Sequence, residues 1–209
     1  YSEHGHVPWD KCSVEEIKEL WNAWADCMCV VLPTLAPHRL YFKDGDLWTS
    51  LREVTKFASP EKLRALFAAW IDWIEVRGKV ERLGDYSLAV VRTALESPVL
   101  EAVDRETIIQ RSLACRRSDA VIESLKALVD LWDDLTSGER GLVTGFFANR
   151  RPDHAWLVAA VISRDCPPEL VELLTGNDRF YSLCSESVVA LLPPPVLRAC
   201  LGVLCESVP

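Results

Sequence analysis

The sequence predicts an all-α protein, and more narrowly an irregular α-solenoid in which helical hairpins stack on one another. Three observations lead there. Apolar residues recur at intervals of three and four in segment after segment. Openings of similar composition return near Ser59, Ser97 and Thr136, an interval of about 38 residues, and repeats of that length built from helix pairs mark α-solenoids. No stretch sustains the period-two alternation of a strand.

The first helix is expected over Ser13 to Leu32. Ser13 with Glu16 three residues on forms a capping box, and Val14, Ile17, Leu20, Trp21, Trp24, Met28 and Val31 are placed on one apolar face. Pro33 and Pro37 end it, and an irregular connection follows with a turn at Asp44-Gly45. The next helix starts with Ser59 as cap and Pro60 in the first helical position. Its stripe is Leu63, Leu66, Phe67, Trp70, Ile71 and Ile74, with Trp73 at the edge. Gly78 stops it, and a partner helix over about Tyr86 to Leu95 turns Leu88, Val91 and Leu95 inward.

A second unit opens with Ser97-Pro98 and continues in a helix from Ser118, whose Val121, Ile122, Leu125, Val129 and Trp132 share a face and whose stop is Ser137-Gly138. A third opens at Thr136, and its second helix is apolar all round between Ala155 and Ile162, as a helix buried on every side should be. Two shorter echoes begin at Cys166 and Pro193, so the interval contracts along the chain. Residues 1–58 are read as a Trp-rich helical section and 59–209 as the repeat region, continuous with it as one domain: six of the eight tryptophans fall before residue 80. Period and paired helices resemble HEAT-like repeats at the level of architecture; no repeat consensus is present. An irregular helical bundle is the alternative.

Composition narrows the function classes. The chain has 209 residues, 49% of them hydrophobic and 26% charged, enough for a sizeable buried core. Its net charge is −8, and neither half is basic: 12 basic residues face 17 acidic ones over 1–104, then 11 face 14 over 105–209. Nucleic-acid binding needs a clustered positive footprint, and Arg111, Arg116, Arg117, Arg150 and Arg151 are interleaved with acids. The most apolar stretch, Val188 to Cys205, is broken by Pro193, Pro194, Pro195 and Arg198, so no membrane span is expected. The eight cysteines lie largely in apolar helical stretches, which points to reduced thiols and a cytoplasmic setting.

Chemical constellations are sparse. His4, His6, Cys12, Cys27 and Cys29 are residue types that zinc takes, but Cys27 and Cys29 diverge on a helix. A nucleophile would need His38 or His154 as its base, and Asp153 beside His154 is better explained as acid at a helix start. No phosphate loop, cofactor fingerprint or catalytic set is visible, so neither a cofactor nor an enzyme is expected. The expectation is a protein-protein interaction module that meets a protein partner or other domains of a larger chain. The alternative is a helical part of a nucleic-acid-handling complex working through Arg-rich loops. Two candidate contact regions stand out. Arg150 and Arg151 form a loop clamp for a carboxylate or phosphate, and Arg198, Leu201 and Leu204 lie on a C-terminal helix too apolar for one buried stripe, which reads as the contact end of an obligate subunit or larger chain.

Overall fold

The computed structural model describes residues 11–35, 46–76, 83–149, 155–175 and 186–207, and these hold eleven α-helices and no strand. In chain order they are α1 (Val14–Val31), α2 (Asp46–Phe57), α3 (Pro60–Val76), α4 (Leu83–Leu95), α5 (Ala102–Leu113), α6 (Ser118–Asp130), α7 (Ser137–Asn149), α8 (Ala155–Asp165), α9 (Pro168–Thr175), α10 (Glu186–Leu191) and α11 (Pro194–Ser207). Short 3-10 turns follow α1 and α6.

Helices pack chiefly on those one and two places away. Along one row α1 meets α3, α3 meets α5, α5 meets α7, α7 meets α9 and α9 meets α11; along the other α2 meets α4, α4 meets α6, α6 meets α8 and α8 meets α10. The outcome is two layers of helices with one continuous apolar core running between them. A fixed interval of about 38 residues is not kept. The first row begins at Val14, Pro60, Ala102, Ser137, Pro168 and Pro194, so its intervals shorten along the chain.

Polar links tie neighbours within a row. Lys62 pairs with Asp26 at 2.7 Å between α3 and α1, Arg64 with Asp104 at 2.6 Å between α3 and α5, and Arg105 with Glu139 at 2.8 Å between α5 and α7. On the other row Ser87 and Ser124 share a buried hydroxyl contact at 2.8 Å between α4 and α6. The exposed pairs among these contribute little. Asp104 and Glu139 are buried carboxylates, Glu139 fully so, and their pairs are the exceptions.

Local sequence explains most of the helix starts. Ser13 and Glu16 close the expected capping box, and the hydrogen bonds from Ser13 hold the exposed Glu16 carboxyl below the ordinary carboxylate range. The Ser59 hydroxyl accepts from Lys62 N at 3.4 Å, with Pro60 at the head of α3. All six expected stripe residues of α3 are buried, and so is Trp73, whose indole N–H donates to the Leu35 carbonyl at 3.1 Å. In α8, Leu157, Val158, Ala159, Val161 and Ile162 are wholly buried because α6, α9 and α10 all pack on it.

Three expectations are corrected. Val14 and Leu20 are exposed, 55% and 47%, because α1 is the first helix of its row and covers only the side facing α2 and α3. Ser97-Pro98 does not open α5, which starts at Ala102 after Glu101. The buried Ser97 hydroxyl instead donates to the Thr55 carbonyl at the end of α2, at 3.0 Å. Ser137-Gly138 is no stop either. It begins α7, with Glu139 N donating to the Thr136 hydroxyl at 3.3 Å and Thr136 N donating to the Glu139 carboxylate at 2.7 Å, a second capping box. α6 ends earlier, at Asp130, and buried Trp132 lies in the 3-10 turn beyond it.

Candidate functional site

The residues singled out from sequence do not assemble into one site. Arg150, Arg151, Asp153 and His154 lie outside the described residues, as do His4, His6 and His38. Arg198 is exposed on α11, where Val196 and Cys200 are buried and the helix packs on α9. Leu201 and Leu204 belong to the same helix, and their side chains are outside the described set. Arg111 pairs with Asp72, Arg116 with Glu75 and Arg117 with Asp119, so these three guanidinium groups face carboxylates. Among the described residues no group of three or more His, Cys, Asp or Glu side chains is placed to hold a metal ion.

Six cysteine side chains are described. Cys27 and Cys166 are exposed, while Cys115 and Cys200 are buried, and burial pushes the latter two thiols above their ordinary range. A raised thiol pKa contributes stability that is present below the ordinary thiol range and is lost as pH climbs through the folded value. At mildly alkaline pH an alkylating reagent is expected to modify Cys27 and Cys166 first, and Cys115 and Cys200 only after unfolding. Mass mapping of the modified sites against time checks this, and equal rates at Cys115 and Cys27 would contradict the packing described.

The site the structure does assemble lies around α7. A cleft of about 470 Å3 is lined by Trp132, Arg140, Gly141, Thr144, Gly145, Ala148, Asp165, Pro167, Pro168 and Glu169. One wall is helical: Gly141, Thr144, Gly145 and Ala148 follow the spacing of a single helix face and are all small. The opposite wall is the corner between α8 and α9. Asp165 ends α8, Cys166 takes a left-handed φ of 45° as the cap, its N–H donating to the Ile162 carbonyl at 3.1 Å, and Pro167 and Pro168 lead into α9.

Arg140 braces the end of the cleft. Its Nε donates to the Trp132 carbonyl at 3.2 Å, one Nη to the Asp133 carbonyl at 3.3 Å and the other to Asp165 at 3.3 Å, while the guanidinium sits 5.7 Å from the Trp132 ring centroid. The Trp132 ring is buried, and its indole N–H has no hydrogen-bond acceptor among the described residues. A buried donor in that condition is uncommon.

The two glycines are the unusual feature of this wall. A Cβ at Gly138 would meet the Glu106 carboxylate, the end of a flexible side chain on α5 that can swing aside. At Gly141 and Gly145 a Cβ would meet nothing within 4 Å. Glycine inside a helix is unfavourable by roughly 0.5–1 kcal/mol relative to alanine, and nothing among the described residues requires it at these two positions. Gly145→Ala is therefore expected to raise stability by about 0.5–1 kcal/mol, read as a higher urea midpoint. A lower midpoint would mean that the open space is filled in solution.

The described residues thus define an all-α protein of stacked helical hairpins, with a cleft between its seventh helix and the corner leading to its ninth. Comparison with protein-family models, with curated proteins and with solved structures returns no match in any of the three. No described helix is long and apolar enough to cross a membrane.

Proposed function

We propose that this chain is a non-catalytic protein-protein interaction module, an adaptor or assembly subunit, and that the α7 cleft receives a polypeptide segment of its partner or of another domain of a larger chain. The observation that carries this reading is the open face at Gly141 and Gly145. Two mid-helix glycines lower helix stability, and a backbone approaching from outside is what their missing side chains admit. Burial of the Cys115 and Cys200 thiols fits a cytoplasmic setting. The nucleic-acid alternative gains no support from Arg111, Arg116 and Arg117, since each is paired with a carboxylate.

The test uses the full chain as bait, followed by purification of each retained protein and reconstitution of the pair. A stoichiometric complex by light scattering at physiological salt is the expected result. Failure of every purified candidate to form one would overturn the reading.

A further inference from the structure

We infer that the α7 cleft selects a basic segment, an extended stretch of a partner protein that brings a lysine or arginine to Asp165 and Glu169 and lays its backbone against Gly141 and Gly145. This rests on the proposal that the cleft is a protein-docking site and adds the chemistry of the occupant. Among the described residues the charged groups lining the cleft are Arg140, Asp165 and Glu169, so the first question is whether it suits an anion or a cation.

An anion finds few donors. Arg140 points its nitrogens at the Trp132 and Asp133 carbonyls and at Asp165, which also neutralises its charge. A helix N-terminus ordinarily offers backbone N–H groups to anions. Here α9 begins at Pro168 after Pro167, and prolines have no N–H to offer. Glu169 then places a carboxylate in the first turn of α9.

A cation finds the reverse. With Arg140 and Asp165 balancing each other, Glu169 leaves the described lining net negative, and both Asp165 and Glu169 are exposed at the corner. The chain as a whole carries −8, which draws basic partners toward it at long range. Gly141, Gly145, Ala148 and the two prolines give the lining small and apolar surface, which suits the methylene stem of lysine or arginine.

The experiment pans a phage-displayed library of random dodecapeptides against the purified full chain, then measures the recovered peptides in solution. Enrichment in lysine or arginine is expected, with affinity falling as salt rises. Glu169→Lys and Gly145→Leu are each expected to weaken the best peptide by about tenfold or more. Leucine at position 145 projects into open space, and Gly141→Leu serves as a second filling variant, with retained helicity and thermal unfolding confirming that each chain is folded. Neutral or acidic consensus peptides would overturn the charge assignment, even if filling the cleft abolished their binding. Peptides indifferent to both leucine variants, or no recovered peptide at all, would overturn the cleft as the site. A partner complex that still forms with the leucine variants would leave the interaction-module reading standing without this inference.

Discussion

Trp70→Ala is expected to destabilise the fold by roughly 3–5 kcal/mol, the cost of truncating a large aromatic in a close-packed core. Trp70 has no exposed surface and sits at the middle of the α3 stripe, flanked by Phe67 and Ile74. Its ring meets that of Trp73 edge to face at 5.7 Å between centroids, so the loss includes an aromatic contact as well as buried area. Because α3 packs on α1, α4 and α5, the hole opens where three helices converge and none can close it alone. A urea titration reads the effect as a lower midpoint with an unchanged slope. An unchanged midpoint would mean that the stripe faces solvent or a partner rather than the core.

Glu139→Ala should cost about 3 kcal/mol, by a different route. The carboxylate is fully buried, accepts the Thr136 N–H that closes the α7 capping box, and pairs with Arg105 at 2.8 Å. Removing it exposes a helix start and strands a guanidinium whose side chain is only 21% accessible. That residual access lets water reach Arg105, which places the cost at the lower end of about 3–5 kcal/mol for a broken buried pair. Glu139→Gln keeps an acceptor for Thr136 and removes the charge, so its effect should fall between alanine and the native residue. A Glu139→Ala chain as stable as the native one would show that α5 and α7 are not joined through this pair.

The parts of the fold legible in the sequence are those where local pattern and tertiary burial agree. The α3 stripe is long, capped and continuous, and in α8 three neighbouring helices bury Leu157, Val158, Ala159, Val161 and Ile162, although Trp156 stays 39% exposed and the helix is not buried on every side as expected. α2 carries a helical signal too, since Leu47, Trp48, Leu51, Val54 and Phe57 recur at three and four, but at twelve residues directly after the Asp44-Gly45 turn it is easily merged with the connection before it. Ser97-Pro98 matches Ser59-Pro60 in sequence, yet Ser97 is drawn to a carbonyl of α2 by a contact 42 residues away that no local reading contains.

The cleft was hidden for a related reason. Glycines at 138, 141 and 145 look like an interruption, but the Thr136–Glu139 capping box and packing against α5 and α9 outweigh their poor helix propensity. Only with α7 formed do Gly141 and Gly145 become a face, and only with α8 capped at Cys166 do Asp165 and Glu169 come opposite it. The arginines at 150 and 151, which drew attention as a loop clamp, lie outside the described residues.

The central claim is that a partner segment occupies the α7 cleft, and site-specific photo-crosslinking in cells tests it most directly. A benzophenone side chain placed at Thr144 stands in the cleft wall, and one at Val30, 73% exposed on α1, serves as the comparison. The account predicts a discrete crosslinked product from position 144 alone, with the attached peptide carrying lysine or arginine beside the crosslinked residue. No product from position 144, or the same product from both positions, would contradict it.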